Sequence, residues 1–182
     1  NNHGKEPIIL VGNEEQKLKR NTLVAIIPRL SNEWIVSLNV RLHSPLSEVN
    51  FQNMWVCNIV HFTQGGHSLR HQYGDRTPLI GIGKTTSKFH ITNAVNNDPI
   101  FNFNNDGVGN VLTINQTYHL EVHQRYVSNG DYRYFITIDG EELYSVLNTD
   151  ARQFYDVKVF MSNDWQIVCP VYISNFEITN FL

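Results

Sequence analysis

Long apolar runs are missing from this 182-residue chain, which excludes a membrane-spanning helix, since that needs roughly 20 consecutive apolar residues. Charge is also scarce. Charged residues make up 17%, the net charge is −3, and no basic stripe runs through the chain, so a nucleic-acid partner is not expected. Only two cysteines occur, Cys57 and Cys169. That rules out a dense disulfide framework and leaves two readings open, one disulfide or two buried thiols. Phosphate-cradling glycines are absent: "GIGKTTS" at 81–87 lacks the P-loop spacing, and no helical pattern follows it. No Ser sits in a G-x-S-x-G context. The 3.6-residue period is nearly absent too, with "NEEQKLKRN" at 13–21 the one short helical candidate. No repeat, low-complexity tract or Pro/Gly-rich linker interrupts the chain, so residues 1–182 are expected to form one domain, with 1–21 an N-terminal extension and first edge strand. The chain starts at Asn1 without Met or a hydrophobic leader, as a processed protein or a piece of a longer one would.

What is present is a period of two. In "WIVSLNVRLHS", Trp34, Val36, Leu38, Val40 and Leu42 fall on one side, and Ile35, Ser37, Asn39, Arg41 and His43 on the other, the pattern of a strand with one buried face. "NTLVAIIPRL" at 21–30 is more continuously apolar and predicts a strand covered on both sides. Further strands are predicted in "MWVCNIVHFT", "TPLIGIG", "KFHITNAV", "PIFNFN", "YHLEVHQRYV", "DYRYFITIDG", "EELYSVLN", "FYDVKVFMS" and "YISNFEITNFL". Asn129-Gly130 and Asp139-Gly140 supply residues that tolerate positive φ, the requirement of tight hairpins. Ten or so short strands with turn signals between them predict an all-β fold, an antiparallel two-sheet jelly-roll sandwich. Trp34 and Trp55 lie in strand patterns and are assigned to the core.

Four stretches together resemble the concanavalin A-like (laminin-G-like) jelly-roll superfamily over residues 22–182. They are "NVRLHS" with "VCNIVHFTQGG"; "YGDRTPLIGIG"; the hairpin "YHLEVHQRYVSNGDYRYFITIDGEELYSVLN"; and "FYDVKVFMSNDW" with "YISNFEITN". "HFTQGG", "YGDRTP" and "VKVFMSNDW" are also similar to secreted invertebrate modules of that shape. The resemblance implies a secreted, extracellular protein that recognises a glycan or glycoprotein through loops at one edge of the sandwich. The sugar-binding set of galectins cannot be placed here. Glycoside hydrolases of this fold carry paired carboxylates in a short alternating run, because one must activate water or attack while the other donates a proton. No run matches, and Asp139, Glu141 and Glu142 read as a solvated hairpin tip. The expectation is therefore a lectin-like module that is not an enzyme. The alternative is an adhesive or structural protein–protein module that self-associates as a homo-oligomer.

The candidate ligand-binding residues follow from loop chemistry. "GGHSLRHQYGDRTP" at 65–78 mixes glycines with His67, Arg70, His71 and Tyr73, groups that stack and hydrogen-bond. Asp75 and Arg76 are read instead as ties between the loop and the body. "MSNDWQ" offers Asp164 beside Trp165, a stacking platform or a lid over the core. On "YHLEVHQRY", His119, Glu121 and His123 share one face. A zinc ion wants about three converging ligands and a supporting shell, and the favoured reading is a polar sheet face with Glu121 paired to Arg125 or Arg133. Calcium is the better metal candidate, with Asp98, Asn104 and Asp106 supplying oxygens from "NNDPIFNFNNDG", although Asn and Asp also favour turns for local reasons. "NQT" makes Asn115 a glycosylation acceptor if the protein is secreted.

Overall fold

The computed structural model describes residues 3–65, 72–102 and 106–182. Among the described residues, thirteen strands form two antiparallel sheets. The first sheet contains β1 (Ile8–Val11), β2 (Gln16–Lys17), β4 (Trp34–Leu42), β9 (Thr117–Ser128), β10 (Asp131–Ile138), β11 (Glu141–Asn148) and β13 (Val171–Asn180). Its order is β1-β13-β4-β9-β10-β11, with β2 also on β13. The second has β3 (Leu23–Leu30), β5 (Val56–Thr63), β6 (Leu79–Gly83), β7 (Phe89–Val95), β8 (Asp98–Phe101) and β12 (Phe154–Phe160), in the order β3-β12-β5-β6-β7-β8.

Alternation builds the core. Trp34, Val36, Leu38, Val40 and Leu42 are all buried, as are Leu120 and Val122 beside them on β9. The second sheet answers with Ile59, Phe62, Ile80, Ile82, Phe89 and Ile91. Phe62 meets Phe176 edge-on across the interlayer space, with ring centroids 6.1 Å apart. Side chains of this size contribute roughly 1.5–3 kcal/mol each when fully buried. The two-residue turns Asn129-Gly130 and Asp139-Gly140 hold all four residues at φ between 51° and 81°, the geometry that matches strand twist in a tight hairpin. Cys57 and Cys169 are joined, closing a loop of 112 residues inside the core.

Three local readings are corrected. Residues 13–21 form no helix. Gln16 and Lys17 pair with Ile173 and Tyr172 as a short edge strand, because Glu15 and Lys17 have no apolar stripe to bury and Arg41 holds Glu15 at 2.8 Å. The "NTLVAIIPRL" strand is not covered on both sides. β3 is an edge strand whose Leu23 and Ile26 are 48% and 54% exposed, and Pro28, which has no N–H to donate, fits such an edge. Trp55 is not in the core: it is 76% exposed. Its sequence parity matches inward-facing Cys57 and Ile59, but the chain turns at Gln52 and Asn53, both at positive φ, and β5 begins only at Val56.

Candidate functional site

The outer face of the second sheet carries a groove, and its floor follows from strand alternation. On β7, Phe89 and Ile91 point into the core, so His90 and Thr92 point out. On β6, Ile80 and Ile82 point in, leaving Leu79, Gly81 and Gly83 outside. A Cβ on Gly81 would collide with the Cys57 carbonyl, and one on Gly83 with the Thr86 hydroxyl. Close backbone approach therefore keeps this stretch of floor bare of side chains.

Three depressions lie along this face. The central one, about 220 Å³, is lined by Trp55, Arg76, Leu79, His90, Thr92 and Trp165, among others. A second, about 500 Å³, shares Trp55 and His90 and adds Thr86 and Asp106. A third, about 350 Å³, lies beyond the Trp165 loop and includes His61, Lys158, Asn163 and Asp164. Trp55 and Trp165 thus line one depression together with His90 and Thr92, and the Arg76 guanidinium lies 5.2 Å from the centre of the Trp165 ring.

Trp165 is held by a network beneath it. After Phe160 the chain leaves β12, bulges outward and rejoins the sheet where Val168 bridges Asn58. Asn163 organises the bulge. Its Oδ1 accepts from the N–H groups of Trp165 (3.2 Å) and Gln166 (2.8 Å), and its own N–H donates to Asn58 Oδ1 at 2.8 Å. Its amide also meets His61 Nδ1 at 3.1 Å, while His61 Nε2 lies 2.7 Å from the Asp75 carbonyl. A carbonyl only accepts, so Nε2 carries the proton and Nδ1 accepts from Asn163. Burial keeps this imidazole neutral, pushing its pKa down to about 4. His90 is also shifted down, by burial first and then by Arg76. Burial lowers Arg76 as well, opposed by Asp75.

Of the residues singled out from sequence, Asp164 and Trp165 stand at the groove, and Arg20 donates to the Asp164 carbonyl at 2.7 Å. Tyr73 is not brought together with them: its hydroxyl donates to Asp150 at 3.1 Å, and the Arg152 guanidinium covers its ring at 3.5 Å. His67, Arg70, His71 and Asn104 lie outside the described residues. Asp75 ties its own loop, accepting from the Gln72 N–H at 2.9 Å. Asp98 accepts from the Ile100 N–H at 3.0 Å, a local turn contact, whereas Asp106 lines the second depression. Among the described residues no group of three or more His, Cys, Asp or Glu could hold a metal ion. Asn115 is exposed, at φ 65°, with its Oδ1 accepting from Arg41.

The histidine pair on β9 lies on the outer face of the first sheet, away from the groove. Glu121 does not pair with Arg125 or Arg133. It lies 3.4 Å from His123 and 3.6 Å from His119, and accepts from Thr137 at 3.1 Å. Arg125 pairs with Glu33 and Arg133 with Glu142, because the hairpin register places the two arginines opposite each other, one step past His123 and Phe135.

Sequence reasoning missed Trp55, Arg76, His90 and Thr92 as groove residues. The alternation in "KFHITNAV" does put His90 and Thr92 on one side. Nothing in the sequence says that this side stays uncovered.

Two layers in this strand order define a jelly-roll sandwich of the concanavalin A-like type. Solved structures share it. The alginate lyase vAL-1 from Chlorella virus superposes with a TM-score of 0.53 at 11% identity, over 97% of this chain and 90% of that one. The native heptameric SAP-like pentraxin from Limulus polyphemus gives 0.53 at 11%, over 96% and 76%. The receptor binding domain of botulinum neurotoxin type G gives 0.51 at 12%, over 98% and 44%. No family model and no curated protein sequence matches the chain. These likenesses establish the fold. They also overturn the expectation that the chain is not an enzyme, which rested on the missing carboxylate pair. That pair is a requirement of hydrolases, whereas the fold also carries a polysaccharide lyase. Elimination needs a proton acceptor and a proton donor, roles open to His or Tyr, so the missing pair does not exclude catalysis.

Proposed function

We propose that the groove on the second sheet binds a saccharide chain. The observation that carries this reading is the pair of tryptophans, Trp55 and Trp165, that line one depression with His90 and Thr92. Sugar rings present C–H faces that pack on indoles and hydroxyls that pair with planar or hydroxylic side chains. A groove open along the face accepts a chain, where a closed pocket would take one ring. The alginate lyase neighbour supports a saccharide ligand only through shared architecture. The Cys57–Cys169 bond supports an oxidising, extracellular setting. Retention on a polysaccharide array is the direct test, and reducing-end release after incubation reads any cleavage. Trp55→Ala is expected to weaken retention about tenfold while its stability stays within about 0.5 kcal/mol of the parent, as exposed positions do. Unchanged retention would remove the groove from consideration.

A second reading, self-association, is favoured by one feature. The open edges of β1 and β3 line a common depression of about 280 Å³ with almost wholly apolar walls. Ile8 and Ile26 there are 46% and 54% exposed, and open edges pair with other chains unless they are blocked. Sedimentation of the parent against Ile8→Lys/Ile26→Lys tests it: the parent is expected to associate and the double variant to stay monomeric.

A further inference from the structure

From the central depression we infer that the bound saccharide contains an N-acetylated hexosamine, whose acetamido group meets Thr92 and His90 with its amide and the apolar wall with its methyl. The inference rests on the saccharide reading of the same groove and names the class of sugar.

Three observations converge. First, much of the wall is apolar: Met54, Val56 and Leu79 line the depression beside Trp55 and Trp165. A hexose bearing only hydroxyls presses oxygens against that wall and strips them of water, which is unfavourable. A methyl at the same place removes apolar surface from water instead. Second, the Thr92 hydroxyl is buried, with Thr92 only 1% exposed, and has no hydrogen-bond partner in the protein. A buried hydroxyl left without a partner is disfavoured, and an amide carbonyl of the ligand relieves it by accepting the O–H. His90 stands two residues back on the same outward side of β7. Burial first, and then the charge of Arg76, opposes its protonation, and a neutral imidazole keeps a lone pair that an amide N–H can use. Third, among the described residues no Asp or Glu lines this depression, so the ammonium of an unacetylated hexosamine finds no counter-ion. The Arg76 guanidinium is already engaged, over the Trp165 ring and in the field of Asp75, and its charge repels such an ammonium further. The methyl, C=O and N–H of an acetamido group thus each find a counterpart around one small space.

Calorimetric titration separates the outcomes with sugars that differ at one substituent. Chitotetraose carries acetamido groups where cellotetraose carries hydroxyls and fully deacetylated chitotetraose carries ammonium groups. N-acetylgalactosamine and galactose make a second pair of the other ring configuration. The expected result is that, in one pair, the acetylated member binds at least about tenfold tighter than its hydroxyl partner, from one added methyl contact and one hydrogen bond. The ammonium form is expected to bind weakest. The pair that shows the preference identifies the ring configuration. Thr92→Val is expected to shrink the preference about threefold. It is also expected to unfold at no lower a denaturant concentration than the parent, because the hydroxyl it removes has no partner in the protein. Equal binding of acetylated and hydroxyl members overturns the inference and leaves the saccharide groove standing. So does a preference that Thr92→Val leaves unchanged, or a Thr92→Val variant that is clearly less stable, which would reveal a protein partner for the hydroxyl. If neither pair binds while the polysaccharide array retains the protein, the inference fails and the groove reading stands. If the array retains nothing either, the groove reading itself is overturned.

Discussion

His61 shows how one residue links stability to the groove. It is buried, neutral, and bonded through both nitrogens, to the Asp75 carbonyl on one side and Asn163 on the other. In the folded protein it takes up a proton only near pH 4, against 6.5 for an ordinary histidine. As pH falls from 6.5 toward 4 the unfolded chain binds this proton and the folded chain does not, so stability falls across that window and levels off below it. The change is about 3 kcal/mol in all. His61→Gln is expected to be less stable at neutral pH and to show a shallower fall in melting temperature between pH 6.5 and 4. Glu121 works in the next window down. Its contact with His123, reinforced by Thr137 and His119, holds its carboxyl at about 2 against the opposing effect of burial, from an ordinary 4.5. The stabilisation is complete above 4.5 and is lost as pH falls through 2. Acid titration followed by circular dichroism should show Glu121→Gln with a flatter stability profile between pH 4.5 and 2 than the parent. Neither shift is readable from the sequence, where His61 sits in an apolar run and Glu121 has arginines at plausible spacing.

Among the elements, the 161–169 bulge matters most. Strand patterns at 154–162 and 172–182 are legible in the sequence, and so is a loop between them. The return of that loop to β5 depends on Asn58, a fully buried amide that donates to the Val60 and Ile80 carbonyls and accepts from Asn163. Asn163→Ala removes the acceptor for two loop N–H groups and the donor to His61, and is expected to cost about 1–3 kcal/mol and to weaken polysaccharide retention as far as Trp165→Ala does. β6 is constrained differently. Gly81→Ala pushes a methyl into the Cys57 carbonyl and is expected to lower stability by about 1–3 kcal/mol, as overpacking does, read as a lower denaturant midpoint. From the sequence "LIGIG" is a strand with two glycines. That they lie on the groove floor follows only from the register of β5 against β6.

Over the whole molecule, the disulfide ties the groove to the core. It anchors Cys169, four residues past Trp165, to the start of β5. Closing a loop of this length stabilises the fold by about 4–5 kcal/mol in chain-entropy terms. The Cys57→Ala/Cys169→Ala variant is expected to unfold at a clearly lower denaturant concentration and to bind polysaccharide more weakly, because the bulge loses its anchor. The two open edges that meet on one side of the sandwich are also a feature of this scale.

The sequence by itself determined the class of fold, the strands from β3 onward in order, the inward row from Trp34 to Leu42 and the two Asx-Gly hairpins. Those features depend on alternation and on φ preferences, which are local. Tertiary structure alone decided which outward faces stay open. Trp55, indistinguishable by parity from core residues, ends at the surface because the chain turns at Gln52 and Asn53 and β5 begins only at Val56. Arg76, His90 and Thr92 come from a loop and a strand separated in sequence, and only the packing of β5, β6 and β7 with the Trp165 bulge brings them around one space. Alternation says which side of a strand is polar; what lies across from that side depends on contacts between distant segments, which no local pattern encodes.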